Sequence, residues 1–164
     1  MSSLDTTDKA ILDALQRNGR MTNVELADHV HLSPSAALRR VRRLEDAGVI
    51  SGYVALLDKT AIGTPTSVHV EISLTSQQEG LLDAFEAAVR DIPEVMSCYL
   101  MAGSADYLVH VVCADVADYE RIHRSQIAQL PGVSQLRSNF AIRTVIERTS
   151  YELRRTPGNP ERRA

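Results

Sequence analysis

Four arginines within five positions, Arg39, Arg40, Arg42 and Arg43, are the strongest chemical signal in the sequence, because residues 33–43 contain no acid to offset them. A guanidinium presents a rigid fork of N–H donors that fits a phosphate or the O6/N7 edge of guanine. Small residues precede the arginines: Ser33, Ser35 and Ala36. On a helical wheel over residues 34–47, Ala37, Leu38, Val41 and Leu44 make one apolar stripe. Ser35, Ala36, Arg39 and Arg43 lie roughly opposite, with Arg40 and Arg42 on the flanks. A helix laid in the major groove of double-stranded DNA needs this arrangement, with small or hydrogen-bonding residues near base edges and guanidinium groups where phosphates pass. Arg39 suits a bidentate contact with guanine; Arg42 and Arg43 suit the backbone. A solvated charged face is the ordinary explanation of a charge run. Here it would have to account for four arginines without one acid.

A second candidate is Gly103-Ser104-Ala105-Asp106-Tyr107, which interrupts two apolar stretches. Glycine permits a tight turn with exposed backbone N–H groups, and Asp106 supplies a carboxylate able to hold an amino group. Such a loop at a subunit interface would grip both ends of a free amino acid. The residues alone favour a hairpin turn in which Asp106 satisfies its own backbone. His29, His31, His69, His110 and His123 lack the clustered spacing of a zinc site. Cys98 and Cys113 sit in apolar stretches and read as buried free thiols of a reducing cytoplasm. No P-loop, dinucleotide fingerprint or Gly-x-Ser-x-Gly occurs in the sequence. No catalytic residue, metal or cofactor is therefore expected.

The elements that position these residues follow from local signals. Asp5 caps a first helix carrying Ile11, Leu12 and Leu15, ending near Asn18-Gly19. Thr22 and Glu25 form a capping box for a short second helix. Ser33 caps a third, with Pro34 at its first position and Gly48 as its left-handed terminator. Three helices in under fifty residues, the last two joined by a short turn, predict a helix-turn-helix over 1–50. Val49 to Leu57 reads as a wing strand, and 51–65 as wing strand plus linker.

Residues 66–151 contain an internal echo of two strand–helix–strand units. The first runs Thr66–Thr75, a helix capped by Ser76 and Glu79, Ile92-Pro-Glu-Val, and Met96–Ala102. The second runs Tyr107–Cys113, a helix capped by Asp115, Leu130-Pro-Gly-Val, and a last strand with Leu136, Phe140, Ile142 and Ile146 on one face. Two such halves predict an α+β, ferredoxin-like βαββαβ sandwich whose uncovered sheet face calls for a second subunit. Residues 152–164, with two prolines and four arginines, read as a flexible basic tail.

The formal net charge is −3, unusual for a nucleic-acid partner until it is divided along the chain. Residues 1–50 hold seven basic and seven acidic side chains, while residues 51–151 hold seven and twelve. Local charge governs contact with phosphate, so the acidic total does not exclude DNA. No apolar run approaches the ~20 residues that span a bilayer.

Asn23-Val-Glu-Leu-Ala, Leu32-Ser-Pro-Ser, Arg40-Val-Arg-Arg-Leu-Glu and Gly52-Tyr-Val-Ala-Leu-Leu-Asp resemble the DNA-binding half of the Lrp/AsnC, or feast-famine, transcriptional regulators. Ile92-Pro-Glu-Val, Met101-Ala-Gly-Ser-Ala-Asp-Tyr-Leu-Val and Leu130-Pro-Gly-Val resemble that family's regulatory domain. The likeness runs from about Leu4 to Glu152. It implies a winged helix-turn-helix on a ferredoxin-like (ACT-like) effector domain, pairing as a homodimer and assembling further to tetramer or octamer. A cytoplasmic, nucleoid-associated protein follows from the same likeness. It also turns the reading of the loop toward an amino-acid effector, held around Met101, Gly103, Ser104, Ala105, Asp106, Tyr107 and Leu108, with Leu136, Ser138 and Phe140 contributed by the facing subunit. Two departures stand out. His31 occupies a turn position where relatives commonly have glycine, and Ala36 replaces a residue often proline or polar. Other chains resembling this family decarboxylate sirohaem-type tetrapyrroles, for which His69, His110, His123 and Arg124 are the residues to enlist. Ligand-independent DNA architecture is the third alternative.

Overall fold

The computed structural model describes residues 4–153. By contacts the chain divides into two compact units, one reaching to Ala55 and resumed from Ile146, the other spanning Leu56–Val145. The expected basic tail lies outside the described residues from position 154 onward.

The first unit contains α1 (Thr6–Arg17), α2 (Asn23–His29) and α3 (Pro34–Asp46). Each start is fixed by a side chain that meets an otherwise orphaned N–H. The Asp8 N–H donates to Asp5 Oδ1 at 2.7 Å, and the Thr22 N–H donates to Glu25 Oε2 at 2.7 Å. The Ala36 N–H donates to Ser33 Oγ at 3.3 Å, with Pro34 in the first turn. Gly48, at φ +67°, ends α3 by letting the Val49 N–H turn back onto the Leu44 carbonyl. Ile11, Leu12, Ala14, Leu26, Val41 and Leu44 form the small core.

His31 adopts φ +55°, the left-handed backbone that its place in the turn demands. A Cβ-bearing residue holds that conformation at a cost of about 1–2 kcal/mol, part of which glycine would return as unfolded-chain entropy. His31→Gly is therefore expected to raise the stability of this unit by roughly 0.5–1 kcal/mol. Urea denaturation of the full chain checks it; a lower midpoint would mean that the imidazole supplies contacts worth more than the strain.

The wing strand expected over Val49–Leu57 is absent as a paired strand. Residues 51–58 carry no regular hydrogen-bond ladder, and Val54, Leu56 and Leu57 are exposed. An extended segment becomes a strand only beside a partner, and among the described residues no strand pairs with it.

The second unit runs β1 (Thr66–Leu74), α4 (Glu79–Arg90), β2 (Val95–Leu100), β3 (Tyr107–Cys113), α5 (Val116–Ser125), a short 3₁₀ turn (Ile127–Gln129) and β4 (Val133–Phe140). The sheet is antiparallel with order β2-β3-β1-β4, the ferredoxin-like arrangement. Alternation dictates the buried face. Val68, Val70 and Ile72 of β1 and Tyr107, Val109 and Val111 of β3 point to the helices, where Phe85, Val89, Tyr119 and Ile122 meet them. Phe85 stacks on Tyr107 at 4.3 Å between ring centroids. The opposite face carries His69, Glu71, Leu108 and His110 in the two central strands, and among the described residues neither helix of this unit packs over it.

Two local expectations are corrected. Ser76 and Glu79 do not cap α4: the N-cap is Gln78, without a side-chain bond, and Ser76 Oγ instead accepts the Gln78 N–H at 3.2 Å. The last strand stops at Phe140, so Ile142 and Ile146 are not part of it, and Ile142 is fully exposed. Phe140 already faces Val68, near the start of β1, and beyond the Ala141 N–H bond to Ser67 the neighbouring strand runs out at Thr66.

Candidate functional site

On α3 the apolar stripe turns inward: Ala37, Val41 and Leu44 are buried and Leu38 is partly so. Ser35, Arg39 and Arg42 stand outward and exposed, Ala36 half-buried beside them. Arg39 and Arg42 make no ion pair or hydrogen bond among the described residues. Ser33 Oγ, already the cap of α3, lies 3.3 Å from Ser35 Oγ. Ser35, Leu38, Asp46 and all four arginines line a shallow groove along this face.

The other two arginines are committed elsewhere. Arg40 Nη1 donates to Asp5 Oδ2 and to Asp8 Oδ1, each at 2.7 Å. Arg43 Nη2 reaches both carboxylate oxygens of Asp8 at 2.6 Å. Asp8 is 2% exposed, the one buried charged side chain among the described residues. The first turn of α1 thus holds one flank of α3. The Asp8 N–H and, after it, the Arg40 guanidinium hold the Asp5 carboxyl below its ordinary range. A depressed folded-state value means that this cap stabilises fully above the unfolded carboxylate's range and weakens as pH falls through the lowered value. The sequence reading passed over Asp8. Its signal was present, an acid three residues after an N-cap acid, but nothing local says that both carboxylates face a different helix.

The turn joining β2 to β3 is closed by Met101 N–H donating to the Asp106 carbonyl at 2.8 Å. Met101, Gly103 and Ser104 are exposed, Ala105, Asp106 and Leu108 partly buried, and Tyr107 buried. Asp106 does not serve its own backbone. Its Oδ2 accepts the Leu74 N–H at 2.7 Å and its Oδ1 accepts from Gln77 Nε2 at 2.6 Å, so the carboxylate ties the turn to the end of β1. Each oxygen keeps a second lone pair for another donor. Leu100 and Tyr107, at the two ends of this turn, also line a cleft of about 410 Å³ with Glu86, Arg90 and Cys98. Tyr107 Oη donates to Glu86 Oε1 at 3.0 Å. Burial, with that carboxylate, pushes the phenol up to about 12, and burial pushes the Cys98 thiol up to about 11. Cys98 is thereby kept as an unreactive thiol.

Leu136, Ser138 and Phe140 share the helix-facing side of β4. Leu136 packs on the core, Ser138 Oγ lies 2.5 Å from Tyr119 Oη, and Phe140 meets the Tyr119 ring edge-on at 5.1 Å. Within one chain Ser138 and Phe140 meet α5 from β4 at one edge of the sheet, whereas the 101–107 turn joins β2 to β3 toward the other. The residues that a tetrapyrrole reaction would enlist are not assembled either. His69 and His110 stack on each other, 4.8 Å between centroids, on the open sheet face. His123 leans on Tyr119, and Arg124 pairs with Glu120, both on α5. Among the described residues no group of three or more His, Cys, Asp or Glu is placed to hold a metal. No helix is long and apolar enough to cross a membrane.

A three-helix unit presenting arginines outward, followed by a ferredoxin-like sheet with a ligand-sized cleft, defines a helix-turn-helix regulator with a separate sensing domain. Comparison with known proteins agrees. Residues 4–51 match the model described as "Winged helix-turn-helix DNA-binding", and residues 67–151 match "Lrp/AsnC ligand binding domain". The Bkd operon transcriptional regulator of Pseudomonas aeruginosa is 41% identical over 93% of this chain and 100% of its own length. The leucine-responsive regulatory protein of Haemophilus influenzae is 38% identical over 91% of this chain and 89% of its own. A transcriptional regulator of Neisseria meningitidis, solved as an L-Met complex, superposes with a TM-score of 0.87 at 36% identity, covering 92% of this chain and 97% of that one. The chain belongs to the Lrp/AsnC family and is a DNA-binding transcriptional regulator with a C-terminal ligand-binding domain.

Proposed function

We propose that α3 enters the major groove with Ser35, Ala36 and Arg39 near base edges and Arg42 on phosphate, and that an amino acid bound around the 101–108 turn changes DNA affinity or assembly. The observation that carries the first part is the division of the four arginines: Arg39 and Arg42 stand free on the outer face, whereas Arg40 and Arg43 are paired to α1. Ser33 then contributes through the helix cap rather than by direct contact. Arg40 and Arg43 set the orientation of α3, with the half-exposed Arg43 as a secondary phosphate ligand.

The sensing part is supported by the cleft beside the turn, whose size falls within the range of small-ligand sites. It is also supported by the L-Met complex of the Neisseria relative and the leucine response in the name of the Haemophilus one. The backbone N–H groups of the exposed Gly103 and Ser104 would meet a carboxylate, and the spare lone pairs of Asp106 an ammonium. The functional unit is a homodimer that covers the open sheet face, with further assembly bringing Leu136, Ser138 or Phe140 of a facing subunit toward the turn. The protein works where the DNA is, in the cytoplasm, and does no chemistry on its ligand. The DNA-binding domain comprises 1–50 and is rejoined by the segment from Ile146, with the wing and linker over 51–65 and the effector domain over 66–145.

Calorimetry with each of the twenty amino acids tests the effector. Asp106→Asn is the informative variant, because the amide oxygen still accepts the Leu74 N–H while the charge is lost; Asp106→Ala would unpair that N–H and disturb the turn itself. Asp106→Asn should weaken binding roughly tenfold, as expected for losing a charged hydrogen-bond partner. The absence of heat from all twenty amino acids, or an undiminished affinity in the variant, rejects this assignment.

A further inference from the structure

The end of the described chain belongs to the DNA-binding unit rather than to the ligand-binding sheet it follows. After β4 ends at Phe140, the segment from Ile146 clusters with the three helices. Its attachment is specific. The Tyr151 N–H donates to Gln16 Oε1 at 2.7 Å, and Gln16 Nε2 donates back to the Tyr151 carbonyl at 3.2 Å. A side-chain amide that engages both backbone groups of one residue mimics a rung of β-sheet, and fixes that residue's position along α1. Two residues on, Leu153 packs against the core made by Ile11, Leu12, Leu26 and Leu44.

Two covalent tethers therefore join the units. One is residues 56–65, which include a turn closed by the Ala61 N–H on Asp58 Oδ1. The other is residues 141–145, and it is the shorter: six residue steps from Phe140 to Ile146 reach no more than about 20 Å fully extended. Five residues only thus join the end of β4 to residues 146–153. Those residues grip α1 at Gln16, and α1 carries Asp8, which holds Arg40 and Arg43 of α3.

We infer that Ile146–Leu153 is a strap that completes the DNA-binding unit and fixes α1, and through Asp8 the arginine-bearing face of α3. The strap acts on DNA binding whether or not a ligand is present. That it transmits the effector signal rests on the amino-acid reading above.

The test uses the full chain and the double variant Gln16→Leu/Leu153→Ser, with Leu153→Met as a conservative control. A duplex is first selected by the wild-type protein from a random pool, and affinities for it are measured beside amide hydrogen exchange. The expected result is a loss of DNA affinity on the order of 3- to 10-fold, the size typical of coupled positions outside a binding site. Exchange should speed in 146–153 and α1, β1 and β3 should stay protected, and Leu153→Met should bind like wild type. Affinity within twofold of wild type in the double variant overturns the strap, whether or not the segment has lost protection.

L-Met supplies the second arm. If it shifts wild-type DNA affinity, that shift should shrink at least threefold in the double variant while L-Met affinity for the free protein is unchanged; an undiminished shift overturns transmission. If L-Met and the other amino acids leave the wild type unaffected, the effector reading fails, and the duplex affinities still judge the strap.

Discussion

Asp8→Ala is expected to lower the melting temperature of the DNA-binding unit by roughly 10 °C while leaving the C-terminal sheet untouched. The carboxylate is 2% exposed and holds Arg40 and Arg43 at once, besides accepting the Asp5 N–H at 3.3 Å within the capping box. Removing one partner of a fully buried ion pair costs about 3–5 kcal/mol. Here the arginines' side chains remain 28% and 56% exposed, so water screens the charges left behind and the cost falls to about 2 kcal/mol. In a unit of this size each kcal/mol moves the midpoint by roughly 4–8 °C. The same substitution releases the Arg43 guanidinium, so the slope of log affinity against log salt should steepen by about one. Loss of stability together with a gain in salt sensitivity is a combination that simple misfolding does not produce. Scanning calorimetry and a salt titration of DNA binding check it; a midpoint within 2 °C of wild type would mean that the pairs contribute nothing net.

The second large effect separates the two outward arginines. Arg39→Ala should relax the preference for one base position by about 1–3 kcal/mol, the discrimination that a bidentate guanine contact provides. Arg42→Ala should weaken matched and mismatched duplexes alike and flatten the salt slope by about one unit. Neither side chain has an ion-pair partner among the described residues, so neither substitution disturbs the fold through a lost contact. Competition binding of selected and single-mismatch duplexes across a salt series tells them apart. Equal loss of specificity in both variants would mean that the outward face of α3 is not divided between base and backbone as argued above.

Arg43 marks where reading a helical wheel stops. The wheel places it opposite the apolar stripe, and the structure agrees that it is exposed, but its hydrogen bonds go to Asp8, 35 residues earlier. Angular position on one helix is a local property, whereas the partner depends on how α1 packs across α3. Asp106 shows the same limit. Its type and its place in a Gly-containing turn are visible in the chain, but its acceptance of the Leu74 N–H depends on β1 and β3 being neighbours.

The sequence by itself determined what depends on a few adjacent residues. Asp5, Thr22, Ser33 and Asp115 start four helices, and the positive φ at His31 and Gly48 occurs where the turn and the terminator require it. The alternation that buries Val68, Val70 and Ile72 was equally legible, because period and capping act within one or two turns of chain. The order of motifs also sufficed for the family. Only the tertiary structure decided which strands end for want of a neighbour, as β4 does at Phe140 and the would-be wing strand does throughout. It alone decided which two of the four arginines are paired to α1, and that residues 146–153 return to the first unit. Hydrogen bonds between residues more than a hundred positions apart, such as Gln16 and Tyr151, leave no periodic trace in either segment. Their partners are chosen by the packing of the core that brings them together.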